Sequence, residues 1–159
     1  MKVLVECYPD TALVRFLGIP RKQILHERSK GNVINRLRGL PDAVGIVDED
    51  PASGQHRDLA NYQVVKAAEG LRLLARRSGH GQKLIVLCPR LEEWLMHRAK
   101  VCGLDPKDHR LLGTARELHG IPRYDQKDGY RSFIKELTAR DPKGMGLLRR
   151  WVHHEQGAA

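Results

Sequence analysis

The sequence predicts an α/β protein with a mainly parallel central sheet flanked by helices and a helical C-terminal tail. Three observations predict it. Lys2-Val3-Leu4-Val5-Glu6, Ala43-Val44-Gly45-Ile46-Val47 and Lys83-Leu84-Ile85-Val86-Leu87-Cys88 are short apolar runs of the kind that form strands buried on both faces. Stretches with helical periodicity alternate with them, which is the pattern of crossovers in a parallel sheet. Beyond residue 104 the helical period alone remains. Residues 1–104 therefore form the α/β core, and 105–159 form a helical extension packed on it. The 159 residues suit a single domain overall, long enough to bury a core without disulfides or structural metal.

In order along the chain, the first strand ends at Glu6, where Cys7-Tyr8-Pro9 breaks it. Asp10 is placed to cap a short helix whose apolar face is Ala12, Leu13, Phe16 and Leu17, stopped by Gly18 and Pro20. Gln23–Glu27 reads as a second strand with polar edges. After Ser29-Lys30-Gly31 a helix turns Val33, Ile34 and Leu37 inward and Arg36 and Arg38 outward, and Pro41 closes it. The strand 43–47 follows and ends in Asp48-Glu49-Asp50-Pro51. Residues 52–58 show neither period, and in 59–70 Val64, Val65 and Ala68 suit a helix. Leu71–Arg77 and Lys83–Cys88 flank the turn-rich Ser78-Gly79-His80-Gly81, as a hairpin or as a helix passing into a strand. Pro89 suits the first turn of a helix carrying Trp94, Leu95, Ala99 and Val101 to Gly103, with Glu92 and Glu93 near its positive end. Helices over Leu111–Leu118, Tyr130–Leu137 and Met145–Val152 complete the chain.

Composition narrows the partner. Lys and Arg outnumber Asp and Glu by 28 to 19, for a net charge of +9, which favours a polyanion such as nucleic acid over an acidic partner. Arg36, Arg38, Arg76 and Arg77 are the candidate backbone contacts. Cys7, Cys88 and Cys102 have no CxxC spacing, and their odd number argues against a disulfide framework. With no signal-like start and no apolar run of about 18 residues, a cytoplasmic protein with no membrane partner is expected. The eight histidines include no HExxH or other spaced zinc pattern, so they read as surface residues. Trp94 and Trp151 fall on apolar helical faces, which favours packing over base stacking.

The chemistry concentrates in the acids. Ligands of open α/β sheets collect beyond the carboxyl ends of the strands, where Glu6, Asp48 and Asp50 are expected together. Two aspartates two residues apart can turn towards one hard cation, Mg²⁺ or Mn²⁺, that takes oxygen ligands and keeps several waters. The bland alternative is a strand-to-helix turn whose acids cap the next helix. Glu92 and Glu93 have the same alternative as helix-start acids, and Lys30 that of a solvated lysine beside a glycine turn.

A Glu closing the first strand, an Asp-x-Asp closing a later one, and Lys30-Gly31 between them resemble the Toprim superfamily of topoisomerase and primase catalytic domains. The superfamily also includes the overcoming-lysogenisation-defect nucleases and small stand-alone phage-defence proteins. Asp10 stands near the acid that follows the family's first turn, and Pro89-Arg90-Leu91-Glu92-Glu93-Trp94 is similar to a segment of the stand-alone branch. The likeness spans about the first two thirds of the chain. It departs at Cys7-Tyr8-Pro9, where the family commonly has Gly. The resemblance implies a Toprim-like fold and a Mg²⁺-dependent nuclease or nickase that acts in phage defence, on DNA more than RNA. Glu6 would be the general acid or base, Asp48 and Asp50 the closest metal ligands, and Asp10, Lys30 and Glu92 accessory groups. A partner ATPase is part of the same expectation. Two alternatives stand beside it: a non-catalytic Toprim-like module binding nucleic acid or a partner ATPase, and a haloacid-dehalogenase-like phosphatase. The second fits less well because its Asp-x-Asp follows the first strand and usually continues into Thr or Val, where this chain has Pro51-Ala52.

Overall fold

The computed structural model describes residues 1–155 and is an α/β sandwich around one six-stranded, mostly parallel sheet. Its strands are β1 (Val3–Val5), β2 (Ile24–His26), β3 (Val44–Asp48), β4 (Tyr62–Ala68), β5 (Leu71–Arg76) and β6 (Lys83–Leu87), in the spatial order β2-β1-β3-β6-β5-β4. The four strands β2, β1, β3 and β6 run parallel, and β5 and β4 continue the sheet antiparallel. The helices are α1 (Tyr8–Phe16), α2 (Lys30–Leu37), α3 (Leu91–Val101), α4 (Ala115–His119), α5 (Asp128–Arg140) and α6 (Gly144–Val152). Of the extension expected over 105–159, residues 156–159 lie outside the described ones.

The apolar strand runs behave as two-faced strands must. Val3, Val5, Val44, Ile46, Ile85 and Leu87 pack on one face with α1, α3 and the C-terminal helices. Leu4, Val47, Leu84 and Val86 pack on the other with Val33, Ile34 and Leu37 of α2. Each fully buried side chain of this kind stabilises by about 1.5–3 kcal/mol. Close packing of α2 on the sheet depends on Gly45, where an added Cβ would meet Leu84 Cδ1 and Val33 Cγ1 at 2.9 Å.

Several local expectations are corrected. Residues 62–68 form a strand, not a helix: Glu69 and Gly70 both have positive φ, 54° and 74°, and make the tight hairpin that pairs β4 with β5. Strand alternation is missing from this sequence because β4 is the open edge of the sheet, exposed along most of its length, with a register shift between Val64 and Lys66. Asp10 is not the N-cap of α1. Cys7 holds that place, and its amide and thiol both donate to Asp10 Oδ2, at 3.1 and 3.0 Å. Phe16, expected inward, is 39% exposed, while Leu13, Val14 and Leu17 fill the core. Pro89 precedes α3 rather than opening it, and Arg90 is the N-cap. The helix expected over 111–118 is confined to α4, fixed by the reciprocal Thr114/Glu117 capping box.

The C-terminal helices share the α1/α3 face of the core through Tyr130, Phe133, Leu148 and Trp151. Behind them, Arg98 of α3 is 2% exposed and donates to Asp141 at 2.7 and 2.6 Å and also to Glu69. Asp141 in turn accepts the amides of Gly144 and Met145 at the start of α6. No helix among the described residues is long and apolar enough to cross a membrane.

Candidate functional site

Because β1 and β3 are parallel neighbours in register, with Val5 opposite Ile46, they deliver Glu6 and Asp48 side by side at the carboxyl edge of the sheet. The Asp48 amide donates to Glu6 Oε1 at 2.7 Å, so the two acids are tied backbone to side chain. β6 ends beside β3, and the chain turning out of it returns the Leu91 amide to Asp48 Oδ1 at 2.9 Å. One oxygen of each carboxylate is thereby fixed by a backbone donor. Asp10, buried in the first turn of α1, and Glu92, buried in the first turn of α3, lie close enough for their charges to act on Asp48. Glu92 Oε1 accepts from the Tyr124 hydroxyl at 2.8 Å and lies 3.1 Å from His119 Nδ1.

The electrostatics follow from that crowding. Burial is the largest cause that pushes Asp48 up to about 8, and the charges of Asp10, Glu6 and Glu92 add to it. Asp10 is pushed up to about 7 by burial, against its bonds from Cys7, with Glu6 and Glu92 adding repulsion. Glu6 is raised above the ordinary glutamate value, again chiefly by burial, with the Asp48 amide and the Lys30 charge opposing. Carboxylates stacked in this way are hard to ionise together unless a cation joins them.

Asp50 behaves differently. Its backbone is left-handed, φ 43°, and its Oδ1 accepts from Arg90 Nη2 at 2.9 Å. The Arg90 hydrogen bond holds its carboxyl below the usual aspartate range. Lys30, at the start of α2, reaches the same edge and donates to the Glu49 carbonyl at 2.7 Å. The sequence-expected set of Glu6, Asp10, Asp48, Asp50, Lys30 and Glu92 is thus gathered at one edge. Asp10 and Glu92 are its buried members, Glu6 and Asp48 are half-buried, and Asp50 and Lys30 make its rim.

The arginines expected to hold nucleic acid lie elsewhere. β5 runs antiparallel to β6, so Arg76 and Arg77 fall past Lys83, at the amino edge of the parallel strands. Arg38, just past the far end of α2, lies at that edge too, its carbonyl accepting from Gln82 at 3.5 Å, whereas the Arg36 side chain turns back to Glu27, just past the carboxyl end of β2. Arg36 pairs with Glu27, and Arg76 with Asp58 while it stacks over Tyr62. The acid edge has its own arginine, Arg90, which sequence reasoning missed as a site residue. The available signal was its place just after an apolar strand and before a helix, at the edge already assigned to the acids.

Mg²⁺ can be tested against this donor set. Among the described residues no three His, Cys, Asp or Glu side chains are gathered into a metal cage. Glu6 and Asp48 supply two adjacent carboxylates, each with one oxygen fixed by an amide. That fits a hard cation held by one or two carboxylates plus water and substrate phosphate, and it does not suit a soft metal that wants thiolates or imidazoles.

Comparison with protein-family models, with curated proteins and with solved structures finds no match to this chain.

Proposed function

We propose that the acid edge is the active site of a Mg²⁺- or Mn²⁺-dependent nuclease or nickase that cleaves phosphodiesters, in DNA more than RNA. The observation that carries this reading is the juxtaposition of Glu6 and Asp48 on neighbouring parallel strands, with repulsion from buried Asp10 and Glu92 raising the demand for a cation. The ordered likeness to the Toprim superfamily supports it further. Glu6 and Asp48 would hold the metal, with Asp50 joining them only on release from Arg90, and when bound it supplies neutralisation of the charge that develops on the phosphate. Glu6, with its raised proton affinity, is suited to take the proton of the attacking water as its oxygen bonds to phosphorus and to pass that proton to the leaving oxygen as the ester bond breaks. Arg90 and Lys30, both at the rim, bind phosphate oxygens and orient the backbone. Asp10 holds the start of α1 against the pair through Cys7. Phage defence alongside a partner ATPase is the role this resemblance brings.

A second reading is a non-catalytic module that binds nucleic acid or a partner ATPase through the same edge. The Asp50–Arg90 ion pair favours it, because it satisfies the most exposed acid without any metal. Incubating supercoiled plasmid with the purified protein separates the two. Nicked or linear product with Mg²⁺ or Mn²⁺, and none with EDTA, is expected of the nuclease; intact plasmid under all conditions leaves the binder.

A further inference from the structure

A cleft of about 620 Å³ runs along the outer face of α1, between the segment leading into β2 and the start of α5. Its walls are unusual for a surface groove in a protein that already has a well-filled core. Tyr8, Thr11, Ala12, Arg15 and Phe16 line it at helical spacing, so one whole face of α1, about 12 Å long, is turned to it. Phe16 is 39% exposed there and Tyr8 44%.

Four arginines face this cleft, Arg15, Arg21, Arg123 and Arg131, against the single carboxylate of Asp125. Asp125 is already taken, because Arg123 grips both its oxygens at 3.0 Å. Among the described residues Arg15, Arg21 and Arg131 enter no ion pair. These three exposed guanidinium groups give the groove a positive charge that favours an anion, Arg21 also donating to the Ile24 carbonyl at 3.4 Å. The aromatic content is arranged as well. The His26 ring lies 4.2 Å from that of Tyr8, tilted by 36°, and the Arg123 guanidinium sits 3.8 Å from the Tyr8 ring, which makes a short tilted column. Phe16 pairs with no other aromatic ring among the described residues and leaves apolar surface at the cleft.

Planar faces beside free arginines match a base beside its phosphates. The cleft's volume is that of a small-ligand pocket, of a size to take a nucleotide or two. One end opens at Tyr8, two residues after Glu6, and His26 pairs in register with Val5 on the neighbouring strand. A strand lying in the cleft therefore leads to the acid edge.

We infer that this cleft binds single-stranded nucleic acid, its phosphates on Arg15, Arg21 and Arg131 and a base against Phe16 or the end of the Tyr8 column, and feeds that strand to Glu6 and Asp48. The feeding clause rests on the nuclease reading; the binding clause does not. The test is fluorescence anisotropy of a short labelled oligothymidylate in EDTA, where cleavage plays no part. The double variant Arg15→Gln, Arg131→Gln is expected to weaken binding about tenfold or more and to lower the salt slope by roughly one per arginine. Phe16→Ser is expected to weaken single-strand binding about fivefold or more while leaving duplex binding unchanged. All three positions are exposed, so thermal midpoints equal to wild type should accompany these losses. Wild-type affinity in both variants overturns the inference, and so does a mononucleotide that displaces the oligonucleotide at matching concentration, which would make this a site for free nucleotide. Strand binding lost in the variants while wild type never cleaves plasmid leaves the cleft standing and removes the nuclease. Mg²⁺-dependent cleavage by wild type and by both cleft variants, with strand affinity unchanged, does the reverse.

Discussion

At the residue scale, Asp48 carries most of the account, and its acidity makes a prediction about the metal-free protein. Its carboxyl is raised from 3.8 to about 8 by burial and by the neighbouring acids. A raised carboxyl is stabilising while protonated: that contribution is complete below pH about 4 and is lost as pH climbs through about 8. Wild-type protein in EDTA should therefore lose thermal stability between these limits, by something on the order of a few kcal/mol. Asp48→Asn removes the titration yet keeps an oxygen for the Leu91 amide, so the variant should gain on wild type as pH rises across the same window. Parallel curves for the two proteins would show that Asp48 ionises without strain, as a mere cap would. Adding Mg²⁺ should flatten the wild-type curve alone. Glu6 and Asp48 could be read from the sequence because each ends an apolar run and parallel strands put such ends together. The partner of Asp50 could not, since Arg90 lies forty positions along and reaches it only through the turn into α3. Asp10 looked like a cap for a related reason: an acid at N3 and an acid at the N-cap differ by a three-residue shift in where the helix starts.

At the element scale, two joints hold the site's scaffold. The first is the seat of α2 on β3 at Gly45, where an added Cβ would press on Leu84, Val33 and Leu37 at 2.9, 2.9 and 3.1 Å. Gly45→Ala should cost about 1–3 kcal/mol by overpacking, measured as a lower urea midpoint with an unchanged m-value. The second is the buried Arg98–Asp141 pair that ties α3 to α6. Removing one partner strands the other charge, so Asp141→Ala should cost about 3–5 kcal/mol and also uncap α6. Burial works to raise the Asp141 carboxyl, but Arg98 and the Gly144 and Met145 amides outweigh it and hold it below the ordinary value. Its contribution is therefore present above pH about 4 and is lost as pH falls below that. A variant that unfolds at the wild-type urea midpoint would make this network dispensable. Elements buried on both faces, such as β3 and β6, were legible because burial leaves an apolar run. The β4 edge was not, because a strand open to solvent need not alternate, and Val64 and Val65 are 58% and 57% exposed.

At the scale of the whole molecule, the net charge of +9 is distributed in a way the sequence did not show. The arginines at 38, 76 and 77 gather at the amino edge of the parallel strands and Arg36 is taken by Glu27, while α1 and α5 bring Arg15 and Arg131 to the cleft that Tyr8 and His26 also line. Composition reports the sum, and only the fold assigns it to faces. Nucleic-acid affinity should fall steeply with rising salt, and neutralising Arg76 and Arg77 to Gln should change it less than neutralising Arg15 and Arg131. An affinity insensitive to salt would contradict phosphate-led binding altogether. As a metal-dependent phosphodiesterase, the protein would work through Glu6 and Asp48, set side by side by parallel β1 and β3. That proposal is tested most directly by comparing wild type with Asp48→Asn on supercoiled plasmid in Mg²⁺ and in Mn²⁺, with thermal midpoints recorded in parallel. Nicking by wild type, none by a variant that is at least as stable, and no activity in EDTA are the expected results; nicking at the wild-type rate by Asp48→Asn would remove Asp48 from the site.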